Sequence, residues 1–139
     1  MSVSAGYRLL PHTADLMIEA WGPDKAACMA EAVEGLVASF ADTKGRTPTT
    51  TARLHVETAP ADEQLVAVLE EVIYLLDAGG VVPVEITLVD SDAGLKGSFG
   101  MVPLDQVTPI GPAPKAVTLH GLDIHSGDRG WSCRVVIDV

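Results

Sequence analysis

Residues 11–21, PHTADLMIEAW, place an acidic residue at the start of an alternating apolar pattern. Leu16, Ile18 and Ala20 share one side of this pattern, which is typical of a half-buried β-strand. The strand predicted here begins at Asp15, so that its carboxylate lies at the edge of the folded core.

The C-terminal residues show the same arrangement in reverse. Residues 131–138, WSCRVVID, alternate as a second strand and end on an acidic residue. Successive side chains of a strand point to opposite faces, so Cys133 and Ile137 share the apolar face and Asp138 lies on the more polar one, beside Val139. Two carboxylates at strand ends, far apart in sequence, favour a site that the fold assembles.

Carboxylate oxygens without a thiolate select hard divalent cations, so this pair predicts calcium, magnesium or manganese rather than zinc. The carbonyl or terminal oxygen of Val139 adds a neighbouring donor. On the residues alone, the alternative that both aspartates are solvated strand ends stays open. A second polar cluster, between His120 and Asp128, is interpreted as a strand end and a turn, and it is the next candidate for a metal site.

The remaining periodicity predicts two amphipathic helices and six strands. Apolar residues recur at helical spacing over 29–40 and 65–76, and they alternate as strands over 16–21, 52–58, 84–88, 95–101, 116–124 and 131–138. The short apolar segment 7–10, interrupted by Pro11, fits a strand edge or a bend. The predicted order is β-α-β-α-β-β-β-β, an α+β domain with two helices packed on a mostly antiparallel sheet.

Length and charge limit the classes of function. A chain of 139 residues is one domain's worth, so residues 1–139 are expected to form a single domain. With 19 acidic and 9 basic residues the net charge is −10, which argues against direct nucleic-acid binding. The same charge favours a basic partner, with plain solubility as the alternative.

The sequence also predicts the compartment. The N-terminal residues lack the basic and apolar regions of a signal peptide, and no apolar run approaches the length of a membrane span. The expected compartment is the cytoplasm, without a membrane partner. Neither Cys28 nor Cys133 has the spacing of a zinc site, and both are interpreted as small core residues.

Five short motifs together resemble the archease family. They are the residues HTAD at 12–15, FAD at 40–42, EEVIY at 70–74, KAVTLH at 115–120 and VVIDV at 135–139. Each is short, but their order and spacing cover nearly the whole chain.

This resemblance implies a chaperone-like cofactor of an RtcB-type RNA ligase. Such a cofactor promotes guanylylation of the ligase and restores it for further turnovers, whereas the ligase itself joins RNA ends in tRNA splicing or RNA repair. The chain is therefore not expected to be an enzyme. The family's metal site maps onto Asp15, Asp138 and Val139, and calcium is the implied ion, with magnesium or manganese as alternatives. Further polar positions expected to support function are His12, Asp42, Glu71, Lys115 and His120.

Two positions depart from the family pattern, and two other functions remain open. Pro11 stands where the family usually has an acidic residue, which puts the affinity for the ion in question, and Leu119 stands where it usually has tyrosine. One alternative is a stand-alone metal-dependent phosphoester hydrolase, for which His12 is the obvious candidate base. The other is a general chaperone or binding module that acts without metal.

Overall fold

The structure, a computed structural model, describes residues 4–12 and 15–139, and only the main chain of His12. The described residues form two α-helices, nine β-strands and one 3₁₀ turn. In chain order these are β1 Gly6–His12, β2 Asp15–Gly22, α1 Lys25–Phe40, β3 Ala41–Asp42, β4 Thr50–Val56, α2 Ala61–Gly79, β5 Val81–Ser91, β6 Gly94–Pro103, the 3₁₀ turn Leu104–Gln106, β7 Thr108–Pro109, β8 Ala116–Gly127 and β9 Gly130–Asp138.

The strands pair antiparallel throughout and form separate sheets. A four-stranded sheet has the order β1-β2-β9-β8, a three-stranded sheet has the order β4-β6-β5, and β3 pairs with β7 in a two-stranded ribbon. The predicted α+β class is confirmed, and the predicted order of elements roughly matches the structure, which adds the strand β1 and the short strands β3 and β7. The sequence did not indicate the division into sheets, because pairing between distant segments leaves no local pattern.

Both helices pack between the two larger sheets. Helix α1 contacts β1, β2 and β9 on one side and β5 on the other, and α2 contacts β8 as well as β4 and β5. A helix covered on two sides needs a wide apolar face, and nine of the residues of α1 are buried. They are Ala26, Cys28, Met29, Ala32, Val33, Gly35, Leu36, Val37 and Phe40.

Local capping explains where the helices begin and end. The side chain of Asp24 accepts a hydrogen bond from the Ala27 main-chain N–H at 2.8 Å and so caps the first turn of α1. Helix α2 begins after Pro60 without a side-chain cap and ends at Gly80, whose φ of 60° is the left-handed conformation that favours glycine. Gly35, which has no side chain, lets α1 approach β2 closely, because an added Cβ would lie 3.1 Å from the Ile18 side chain.

The two cysteines are both free and buried, as predicted for small core residues. The Cys28 thiol donates to the Ala20 carbonyl at 3.6 Å, on the strand next to the one that carries Cys133. The hydrogen bond between the two thiols, together with burial, raises the pKa of Cys28 well above its ordinary value. The thiol is therefore held in its protonated, unreactive form.

One buried polar contact joins the helix layer to the three-stranded sheet. Gln64 on α2 is 1% exposed, and its amide donates to the Glu57 carbonyl at 3.1 Å while its Oε1 accepts from the Lys25 ammonium at 2.7 Å. The same ammonium lies 3.2 Å from the carboxylate of Asp90 at the end of β5. Both polar atoms of the Gln64 side chain thus have a partner, which is the condition for tolerating an amide in the core.

In the described part of the chain, neither helix is both long and apolar enough to cross a membrane.

The variant Gln64→Ala is expected to lower the free energy of unfolding by about 1–3 kcal/mol, because it leaves the Lys25 ammonium and the Glu57 carbonyl each short of a partner. Urea denaturation measures this change in unfolding free energy, as a shift in midpoint when the dependence of the free energy on urea concentration is the same for both proteins. The matched control is Gln106→Ala, at an exposed position of the 3₁₀ turn. Equal midpoints for the two variants would contradict the structural role of Gln64.

Candidate functional site

The register of β2 against β9 brings the two predicted metal-binding aspartates together. Leu16 faces Ile137 in this pair. Asp15 and Asp138 flank this last printed pair, so continuing the register by one step sets them across from each other. Opposite residues of an antiparallel pair have Cβ atoms about 4.5–5.5 Å apart, so the two side chains lie within reach of a shared ion.

Both carboxylates project from the same face of the four-stranded sheet. In β9, Cys133, Val135 and Ile137 are buried against the helix layer. The alternation therefore places Asp138 on the opposite, outer face, where it is exposed. In β2 the buried residue Ile18 likewise leaves Asp15, three positions earlier, on the outer face, half-buried.

The neighbouring strands bring two more predicted residues to this end of the sheet. His12 pairs with Asp15 across β1 and β2, although its side chain lies outside the described residues. On the other side, the main-chain N–H of Lys115 donates to the Asp138 carbonyl at 2.7 Å. The strand order β1-β2-β9-β8 therefore places four predicted residues side by side at one end of the sheet, where the strands begin or terminate: His12, Asp15, Asp138 and Lys115. This end of the sheet is called the carboxylate corner.

The carboxylate corner has excess negative charge. Within the described residues, no ion pair reaches Asp15 or Asp138. Like charges placed directly opposite each other on a sheet are destabilising, and a divalent cation between them would relieve the repulsion.

The donor set fits a hard cation in kind. It offers carboxylate oxygens and no thiol, which suits calcium, magnesium or manganese. The described side chains contain no group of three histidine, cysteine or acidic residues placed to hold a metal. Calcium takes six to eight oxygens, so two carboxylates supply only part of its coordination and main-chain or water oxygens must complete it. Val139, the third predicted ligand, follows Asp138 directly and is half-buried.

Pro11 stands where the family usually has an acidic residue, and its place in β1 shows whether such a residue could reach Asp15. Pro11 pairs with Leu16 in β1, and by alternation it shares a side with Leu9. Leu9 faces the buried residue Ile18 in the same register. An acidic side chain at position 11 would therefore point to the side of the sheet opposite to Asp15.

The other predicted site residues lie apart from the carboxylate corner. Asp42 belongs to the β3–β7 ribbon, and its Oδ1 accepts from the Lys44 main-chain N–H at 3.0 Å, as in a turn. Glu71 is half-buried on α2, and His120 is exposed on β8 beside an irregularity in its pairing with β9. In the described part of the structure no hydrogen bond joins these three residues to either aspartate.

The second polar cluster is a strand segment and a turn, as the sequence indicated. Strands β8 and β9 continue further than expected and leave only Asp128 and Arg129 as the turn. His125 Nδ1 lies 2.8 Å from Asp123 Oδ2, and both side chains are exposed. This is a two-residue contact in solvent rather than a ligand set.

One residue near the carboxylate corner was missed by the sequence reasoning. Thr118 on β8 pairs with Val136 on β9, two residues along each strand from the pair Ala116–Asp138. Thr118 therefore points to the same face of the sheet as Asp138. Its hydroxyl is buried without a hydrogen-bond partner among the described residues. A threonine in a strand gives no sequence signal for this, because burial on the outer face depends on the neighbouring strands.

Comparison with known proteins identifies close relatives. The model of the archease protein family matches residues 7–139. A protein described as a probable archease from Mycobacterium tuberculosis is 46% identical over 137 residues, covering 98% of this chain and 76% of that protein. The archease of Archaeoglobus fulgidus is 28% identical and is covered over 98% of its length.

Solved structures show the same fold at lower identity. The solution structure of protein 1598 from Methanobacterium thermoautotrophicum matches with a TM-score of 0.76 at 21% identity, over 96% of this chain and 99% of that chain. The crystal structure of a Thermotoga maritima archease, described as a possible chaperone, matches with a TM-score of 0.68 at 19% identity, over 95% and 96% of the two chains.

The variant Asp138→Asn is expected to raise the free energy of unfolding by about 0.2–1 kcal/mol in chelator and low salt, since it removes a like charge facing Asp15. Urea denaturation measures the difference. Glu85→Gln, at an exposed strand position opposite Gly100, controls for the general benefit of reducing the negative charge. A gain no larger than that of the control would show that the two carboxylates do not repel each other in the folded protein.

Proposed function

Because the chain belongs to the archease family, we propose that it is a metal-binding, chaperone-like cofactor that activates an RtcB-type RNA ligase. The observation that carries this proposal is the carboxylate corner, where Asp15 and Asp138 flank the paired residues Leu16 and Ile137 on adjacent strands. The description of the Thermotoga maritima relative as a possible chaperone supports an accessory role.

In this role the chain promotes guanylylation of the ligase and restores the enzyme for further turnovers in tRNA splicing or RNA repair. The ligase catalyses the joining of RNA ends, and the present chain contributes no catalytic residue. The proposed compartment is the cytoplasm, where the ligase and its RNA substrates meet.

The proposed metal site uses the carboxylates of Asp15 and Asp138 with an oxygen of Val139. A bound calcium ion, or magnesium or manganese in its place, supplies positive charge that phosphate groups can approach. The chain's own contribution is to carry the two carboxylates on adjacent central strands of the sheet. The Lys115 N–H fixes the main chain of Asp138 from the other side, at 2.7 Å.

Charge also supports a protein partner over a nucleic-acid partner. The net charge of −10 repels RNA at long range. The same charge attracts a basic cleft and speeds the encounter with it. An acidic accessory protein can therefore dock close to a ligase's RNA- or GTP-binding surface without competing for RNA.

The proposed activation predicts that adding the chain to purified ligase with GTP and a divalent metal increases guanylylated ligase and the number of RNA joining turnovers. Asp15→Asn and Asp138→Asn should each reduce this activation at least tenfold, whereas the control Glu85→Gln should retain it. Unchanged guanylylate formation with the unmodified chain would refute the proposal. Hydrolysis of phosphoesters by the chain alone, or metal-independent suppression of aggregation, would instead support the two alternative functions.

The proposed metal site predicts saturable calcium binding that is lost in both Asp15→Asn and Asp138→Asn, because each variant removes one of the two facing carboxylates. Isothermal titration calorimetry with calcium and with magnesium measures it, beside Glu85→Gln as the charge-matched control. Binding that survives both changes would place the ion elsewhere, and His125→Gln would then test the cluster between His120 and Asp128.

A further inference from the structure

The outer face of the three-stranded sheet forms a second open surface, unrelated to the carboxylate corner. Helices α1 and α2 cover the inner face of this sheet, where Leu95, Phe99 and Met101 are buried. On the outer face, residues of all three strands surround a shallow cavity of about 490 Å³. Its lining residues are Thr51, Arg53, Thr87, Val89, Ser91, Lys96, Gly97 and Ser98.

The lining has a charge opposite to that of the protein as a whole. It contains two cationic side chains and four hydroxyls but no carboxylate, in a chain with 19 acidic and 9 basic residues. Arg53 and Lys96 are both exposed, and neither forms an ion pair within the described residues. Among the other cations, Lys25 is paired with Asp90 and Arg134 with Glu19, whereas Lys44 and Arg129 form no ion pair within the described residues either, so the distinguishing feature of Arg53 and Lys96 is that they share one face.

The strand register groups these side chains closely. Arg53 faces Ser98, which faces Thr87, so these three form one row across the sheet. Lys96 lies in the next row on the same face, between His55 and Val89. Arg53 and Lys96 are therefore diagonal neighbours, and such neighbours are about 7–8 Å apart between strands. An anion of a few ångströms can contact both cations and the hydroxyls between them.

We propose that this face binds a compact phosphate-bearing anion of the diphosphate class. The Arg53 guanidinium presents a planar fork that matches two phosphate oxygens, and Lys96 adds a point charge. The hydroxyls of Ser98 and Thr87, in the row of Arg53, donate to the remaining oxygens.

A compact anion fits this face better than a long polyanion. Nucleic-acid binding draws its affinity from many phosphate contacts, and single strands also stack on aromatic side chains. The lining offers two cations and no aromatic residue. The net charge of −10 further opposes a long anionic partner, which carries many more negative charges than a single diphosphate.

Calorimetric titration with inorganic pyrophosphate, in metal-free buffer at low ionic strength, tests the proposal. The expected result is saturable binding that weakens tenfold or more in Arg53→Gln and in Lys96→Gln, because each change removes a charge-assisted hydrogen bond. Lys96→Arg should retain most of the affinity. Lys44→Gln and Arg129→Gln remove exposed cations elsewhere and should have no such effect.

Separate outcomes would overturn the proposal. They are the absence of saturable heat, an equal loss in the two control variants, or tighter binding of an RNA oligonucleotide or a glutamate-rich peptide than of pyrophosphate. Pyrophosphate binding should be unchanged in Asp15→Asn and Asp138→Asn, so this site and the proposed ligase activation succeed or fail independently.

Discussion

The antiparallel pairing of β2 with β9 is the contact on which the core and the candidate site both depend. These are the two central strands of the four-stranded sheet. Their register turns Ile18 and Ile137 towards the helices and leaves Asp15 and Asp138 on the other face. A slip of one residue in either strand would exchange its two faces, burying a carboxylate and exposing the core. The free energy of burying the apolar face therefore also fixes the position of the carboxylates.

Helices α1 and α2 pack against the inner face of the four-stranded sheet. Helix α1 lies against β2 closely enough that a Cβ at position 35 would come within 3.1 Å of the Ile18 side chain. Its first residue, Lys25, reaches both Gln64 on α2 and Asp90 on the three-stranded sheet. The second sheet thus supports the first through the helices, and its own outer face is left open with a local positive charge inside an acidic protein.

The sequence predicted the elements better than their pairing. Because alternation and helical spacing are local patterns, they predicted the two helices and six of the strands, whereas the segment that forms β1 was interpreted only as a strand edge or a bend. The separation into two sheets, the short ribbon of β3 with β7 and the full length of β8 depend on contacts between distant segments. The same applies to the site. Strand ends and family motifs singled out Asp15 and Asp138, but only the register puts them opposite each other, and it leaves Asp42 in a separate ribbon.

The long sequence separation of the central strands has a consequence for the order of folding. Glu19 and Arg134, which meet across β2 and β9, are 115 residues apart. The hairpins of β5 with β6 and of β8 with β9 close over short loops, whereas β2 must wait for β9. Until then β2 has an unpaired edge and α1 an uncovered apolar surface, the features that make folding intermediates prone to aggregate. The four-stranded sheet therefore closes only after β9 has been synthesised, and until then the nascent chain exposes a strand edge and an apolar helix face.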